Sequence, residues 1–181
     1  MNRALFLIAA TLIGCKNSEP KNAAHTLDFD AFTIETPVNW QKVNLRGIDS
    51  YVGEISIDST NHLAFDYGRY SSHLSQFDSV RIGGKLFYTD EFDTAQKLTF
   101  YDSADAGSDI VRENIDGYGA KLIFPRVVGR GITGIYFNSI GRELGTNLRF
   151  NLYGHNLTGV NQKAALRAFR TIRFRKNNSA R

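Results

Sequence analysis

The chain carries one cysteine, Cys15, so no internal disulfide can staple a thin or poorly cored fold. Whatever forms has to be held by buried apolar side chains. The supply is adequate, since 181 residues that are 42% hydrophobic and 22% charged have the composition of one ordinary globular domain. The position of the cysteine adds a second constraint. Met1-Asn2-Arg3 leads into an apolar run from Ala4 to Ile13, closed by Gly14 directly before Cys15. An early positive charge, a greasy stretch of ten residues and a small residue at a cleavage point are the parts of a secretory signal peptide. A spanning helix takes about 20 residues, so this run is too short to be one.

The ending Leu12-Ile13-Gly14-Cys15 resembles the lipobox of bacterial lipoproteins. That resemblance implies cleavage of residues 1–14, a thioether from the Cys15 sulfur to diacylglycerol, and acylation of the new amino group, commonly by palmitate. Exported proteins live where disulfides persist, yet Cys15 has no second thiol in the chain to pair with. Each buried methylene contributes about 0.8 kcal/mol, so two or three acyl chains hold a domain on a membrane almost permanently. No acid directly follows Cys15, and in lipoprotein sorting of the enteric type this implies transport to the outer membrane. Residues 15–28 are polar and include Pro20, which reads as a flexible tether between lipid and domain. The covalent lipid is the only prosthetic group the sequence implies.

Formal charge is +4, too weak a bias to indicate nucleic acid, and no aromatic residues are interleaved with the cations for base stacking. The distribution is more informative: Arg142 to Arg181 holds nine Lys or Arg against one acid. Within it, Lys163, Arg167, Arg170, Arg173, Arg175 and Lys176 form a candidate face for an anionic partner, such as lipid headgroups, an acidic protein or a polyanionic glycan. The alternative is that they only solvate the outside of a terminal helix and strand.

From Phe29 onward, periodicity predicts a single domain to residue 176, followed by a disordered tail over 177–181. Strands are expected at Phe29–Glu35, Trp40–Leu45, Ser50–Ile57 and His62–Tyr67, with turns at Arg46-Gly47-Ile48-Asp49 and Asp58-Ser59-Thr60-Asn61. Gly68 to Phe77 follows neither period and reads as loop or poorly formed helix. Further strands are expected at Lys85–Tyr88, Lys97–Tyr101, Asp109–Ile115, Tyr118–Phe124, Ile132–Ile140 and Asn147–Tyr153. Asp116-Gly117 is the clearest hairpin turn, because both positions accept positive φ. A helical period appears only near the end, where Thr158 can cap and Val160, Ala164, Leu166, Ala168 and Phe169 form the apolar side. A last strand covers Thr171–Phe174. The class is α+β, mainly antiparallel sheet with a C-terminal helix and a closing strand.

Phe32, Ile34, Pro37 and Trp40, together with Ala165-Leu166-Arg167-Ala168-Phe169-Arg170-Thr171-Ile172-Arg173-Phe174, resemble the two ends of PsbP/Mog1-like domains. The resemblance implies an antiparallel sheet under helices, an α/β/α sandwich, and a role in binding partners. It carries over no site residue.

Patterns that look like chemistry lack their context. Gly129-Arg130-Gly131-Ile132-Thr133-Gly134 spells a dinucleotide fingerprint, but a β run follows where a helix is needed, so it reads as a hairpin turn. Asp102 to Glu113 resembles a calcium loop with alanines at two ligand positions, Ala104 and Ala106. His25, His62, His73 and His155 show no zinc spacing, although a sheet could bring His62 and His155 together. Asp90, Glu91, Asp93, Asp102, Asp105 and Asp109 lie in turns, where aspartate is expected for local hydrogen bonds. The reading is a lipid-anchored envelope binding or adaptor domain without catalytic activity, its partner an envelope protein or glycan. Its surface would be loops at one end of the sheet or the basic C-terminal face, and Tyr67, Tyr70, Tyr88, Tyr101 and Tyr153 are candidates for it, with core packing as the alternative role for most. The alternative is an envelope hydrolase acting on glycan or peptide through the turn carboxylates.

Overall fold

The computed structural model describes residues 23–74, 77–90, 100–101 and 108–175. Cys15 and Lys176 lie outside them, as do Glu91, Asp93, Asp102 and Asp105. In chain order the strands are β1 (Ala24–Asp28), β2 (Phe32–Pro37), β3 (Gln41–Asn44), β4 (Tyr51–Ser56), β5 (His62–Gly68), β6 (Phe77–Ile82), β7 (Lys85–Asp90), β8 (Phe100–Tyr101), β9 (Ser108–Ile115), β10 (Tyr118–Pro125), β11 (Ile132–Glu143) and β12 (Thr146–His155). Helix α1 (Gly159–Phe169) and β13 (Arg173–Phe174) close the chain. This is the α+β architecture that the periodicity predicts.

The principal sheet has seven strands in the order β3-β4-β5-β12-β11-β10-β9, all antiparallel. Two meanders, β3-β4-β5 and β9-β10-β11-β12, are zipped together where Phe150 faces Tyr67 and Leu152 faces Phe65. A second sheet, β1-β2-β13, lies with α1 over one face of the first, and α1 packs on β2 and β11. The first and last parts of the described domain thus meet, with Phe174 paired to Phe32. A third sheet, β6-β7-β8, is inserted between β5 and β9.

Side chains alternate across each strand, so one residue set of the principal sheet is committed to the covered face. There Phe32, Ile34, Phe65, Leu122, Ile135, Phe137, Phe150, Ala165, Phe169 and Ile172 are all buried. Rings dominate: Phe32 lies 4.9 Å from Phe29, 5.1 Å from Phe65 and 4.7 Å from Phe150. Offset and edge-on pairs of this kind add about 0.5–1.5 kcal/mol each beyond the area they bury.

Local chemistry sets the connections. Asp116 and Gly117 both have positive φ, 54° and 84°, closing the β9–β10 hairpin as expected, and Asp116 Oδ2 also accepts the Phe174 N–H at 2.7 Å. Thr158 Oγ1 accepts from Asn161 N at 3.4 Å and caps α1. Val160 departs from its expected apolar role: it is 78% exposed, and Gln162 is buried instead, its amide donating to the Pro125 carbonyl at 3.5 Å. The first turn faces the end of β10, where a backbone carbonyl needs a donor more than the core needs a valine.

Two further differences concern the first half. The segment read as tether contributes β1, which pairs with β2 from Ala24 opposite Pro37 to Asp28 opposite Thr33. Only Leu27 of β1 is buried, so backbone pairing rather than an apolar pattern makes the strand. The expected strand at Phe29–Glu35 is correspondingly divided, with Asp30 at φ 62° in the turn. β6 lies in a stretch without a clear apolar period: it pairs with β7 through Gly83-Gly84, at φ 58° and 83°.

Among the described residues the turn at Asp58 is the densest polar knot. Its Oδ1 accepts the N–H groups of Thr60 and Asn61 at 2.9 and 2.8 Å, and Oδ2 accepts Asn161 Nδ2 at 3.0 Å, tying the turn to α1. The backbone N–H of Thr60, then Asn61, holds the carboxyl well below the usual carboxylate range. A depressed folded value stabilises above the unfolded pKa and is lost as pH falls toward the folded one. Asp58→Ala is therefore expected to lower Tm by a constant amount from pH 7 to about 5, with the gap to the parent closing below about pH 4. Parallel thermal melts check this, and a gap that widens in acid contradicts it.

Candidate functional site

The structure divides the C-terminal basic face. Arg170 forks onto Glu113, with Nε to Oε2 at 2.9 Å and Nη2 to Oε1 at 2.6 Å. Those bonds hold the Glu113 carboxyl below its ordinary value and push the guanidinium up. Arg173 Nε sits 3.9 Å from Asp116 Oδ1, and Arg175 contacts the Asp28 carboxylate. Lys163 and Arg167 are exposed on α1. Three of the five described cations thus already face acids, and what the arrangement does is fasten β1, β9 and the β9–β10 turn to the end of the chain. Each exposed pair is worth only about 0–1 kcal/mol.

A second surface is the side of the principal sheet away from α1. Here the strands present Val52 and Glu54 (β4), Ala64 and Asp66 (β5), Arg149, Asn151 and Tyr153 (β12), Tyr136 and Asn138 (β11), Lys121 (β10), and Arg112 and Asn114 (β9), a set that follows from the pairing registers. Residues 69–74 leave β5 and cross this face as a strap. Ser71 Oγ donates to the Asp66 carbonyl at 3.0 Å, Asn151 Nδ2 donates to Ser72 O at 3.0 Å, and Lys121 Nζ donates to His73 O at 2.6 Å. Leu74 is inserted at the strap's end, 1% exposed, beside Ile123 and Tyr136. The expected loop over Gly68 to Phe77 is thus an ordered crossing as far as Leu74.

Hollows lie on either side of the strap. The larger, about 540 Å³, is lined by Arg112, Asn114, Gly119, Lys121, Tyr136 and Asn138 among others. Arg112 stands opposite Lys121 across β9 and β10, Lys121 Nζ lies 5.3 Å from the Tyr136 ring centroid, and Tyr136 donates its hydroxyl to Asn138 Oδ1 at 2.9 Å. Burial raises the Tyr136 hydroxyl, against a smaller opposing effect of the Arg149 charge. The smaller hollow, about 260 Å³, lies between β4, β5, β12 and the strap, and Asp66, Ser72, Asn151 and Tyr153 line it with apolar neighbours. Sequence reasoning missed both, because their residues are scattered over several strands and no spacing within the chain links them.

The other candidates fall as follows. Gly129 and Gly131 have φ 80° and 120° in the connection from β10 to its antiparallel partner β11, a hairpin and not a nucleotide loop. The described part of the calcium-loop pattern, 108–113, is strand β9. Asp109 Oδ1 accepts Arg126 Nε at 2.9 Å, and Asp90 ends β7. Among the described residues no group of three His, Cys, Asp or Glu could hold a metal ion, and no helix is long and apolar enough to cross a membrane. Of the tyrosines, Tyr70 is 70% exposed, Tyr67 packs at the edge of the covered core, Tyr153 faces the strap side, and Tyr88 pairs with Tyr101 across β7 and β8.

No known protein family matches the chain, and no curated protein does either. Among solved structures it is similar to a crystal structure from Bacteroides thetaiotaomicron, with 13% identity, a TM-score of 0.35, and 88% of this chain covering 51% of that one. The chain spans about half the length of that protein, and neither fold nor function is taken from the likeness.

Proposed function

We propose that this chain is a lipid-anchored binding domain of the bacterial cell envelope, without catalytic chemistry, held at the outer membrane by diacylglycerol and an N-acyl chain on Cys15. One observation carries the binding half: the strap side of the sheet holds the 540 Å³ hollow rimmed by Arg112, Asn114 and Asn138. The hollow is shallow and open, which suits an extended polymer or a protein surface better than an enclosed small molecule. Guanidinium and amide groups offer directional donors to oxygen-rich ligands, so a glycan or an acidic surface of an envelope protein suits them. The resemblance of the two chain ends to PsbP/Mog1-like domains supports the same reading, since such domains act by binding. The anchor half rests on the sequence from Leu12 to Cys15.

The two halves are tested separately. Cys15→Ser is expected to shift the protein from the membrane fraction to the soluble one almost completely, with loss of the acyl mass on the N-terminal peptide. A parent protein that is soluble with an unmodified N-terminus overturns the anchor. Crosslinking in the native envelope, followed by mass spectrometry and reciprocal pull-down, tests the binding role. Recovery of no partner, while the purified protein cleaves an envelope polymer, replaces that role with the hydrolase reading.

A further inference from the structure

We propose that the smaller hollow, between β4, β5, β12 and the strap, binds a small protonated amine carried on a short apolar chain, with the Asp66 carboxylate anchoring the ammonium group. The site lies across the strap from the larger hollow, and the inference depends neither on the lipid anchor nor on what fills that neighbour.

The argument begins with an unmet need. Asp66 lines the hollow, and its Oδ1 is buried with no hydrogen-bond partner among the described residues, a state that costs free energy and in native structures calls for an occupant or a role. The nearest amide is already used: Asn151 Oδ1 accepts the Asp66 N–H at 3.1 Å while its Nδ2 donates to Ser72 O. Among the described residues no Lys or Arg lines the hollow. An ammonium group entering the hollow offers the carboxylate both donors and a positive charge.

The surroundings select further. Leu45, Val52, Ala64 and Leu74 make the walls apolar, which suits methylene groups and gives a second charged end nothing to bind. About 260 Å³ is below the usual range for drug-sized ligands, so the occupant is small. Acidic charge reaches the aromatic wall: burial first, then the charges of Asp66 and Glu54, raise the Tyr153 hydroxyl. The Tyr153 ring adds an aromatic wall that attracts cations. A carboxylate ligand meets repulsion there, and a neutral alcohol satisfies one bond without compensating the charge.

The probe is n-butylammonium, titrated by calorimetry into the full chain at low ionic strength, with n-butanol and butyrate as controls of equal length. Butylammonium is expected to bind saturably, n-butanol at least about tenfold more weakly, and butyrate not measurably. Asp66→Asn keeps the shape and is expected to weaken butylammonium about tenfold or more. Should that variant fail to fold, Glu54→Gln carries the test, with an expected weakening of about threefold through the lost field. Any one of four results overturns the proposal: no saturable binding of butylammonium, n-butanol binding as tightly, full affinity in Asp66→Asn, or full affinity in Glu54→Gln.

Discussion

Phe150→Ala is expected to destabilise the protein by about 3–5 kcal/mol, the range for removing a fully enclosed aromatic ring. Phe150 is 0% exposed and sits where the two meanders are joined, opposite Tyr67. Its ring lies 4.7 Å from Phe32, 5.3 Å from Phe174, 6.1 Å from Phe137 and 6.2 Å from Phe65. Those partners come from β2, β13, β11 and β5, so one truncation loosens the principal sheet and the layer above it together. Packed rings on every side leave little freedom to collapse into the void, which places the cost at the upper end. A domain of this size has about 5–15 kcal/mol in all, so the variant stands near the edge of folding. With a urea slope of about 1–3 kcal/mol/M, the denaturation midpoint is expected to fall by more than about 1 M. A shift corresponding to less than about 1 kcal/mol would mean that the two layers are not joined through this ring.

How much of this was legible beforehand follows from the range over which each signal acts. The Asp116-Gly117 turn, the β4–β5 hairpin around Asp58 and the Thr158 cap are local, set within a few residues, and the sequence names them. β1 is invisible because a single residue, Leu27, is buried in it, and a strand made by backbone pairing leaves no apolar alternation. Val160 misleads because helical period marks a side of the helix without saying how far along it the core extends. The basic cluster was legible as composition, but its pairing with Glu113, Asp116 and Asp28 was not, since those acids lie at sequence distances of 57, 57 and 147 residues. The strap side is the extreme case. Asp66, Asn151 and Tyr153 meet only because β5 pairs with β12 in one register, and a shift of one residue would send each to the opposite face.

Gly134 makes that dependence testable. It faces the strap between Ile123 and Tyr153, and a Cβ there would lie 2.8 Å from Leu74 Cδ1, 2.8 Å from Tyr153 Cβ and 3.2 Å from Leu152 O. The last two belong to β12 and have little room to retreat, so Leu74 has to give way. Leu74 has little freedom to adjust locally, because it is held at φ 49°, a backbone state that non-glycine residues adopt at a cost. Gly134→Val is therefore expected to expel Leu74 and free the end of the strap, with a loss of about 1–3 kcal/mol as for other overpacked sites. Most of the sheet should survive, since Gly134 lies outside the ring cluster centred on Phe150. The sign of success is selective: faster proteolysis and hydrogen exchange at 69–74, an unchanged far-ultraviolet spectrum, and loss of butylammonium binding although Asp66 is intact. A variant that melts, exchanges and binds like the parent would mean that the strap is not seated on Gly134, and that the hollow beside Asp66 has no roof to lose.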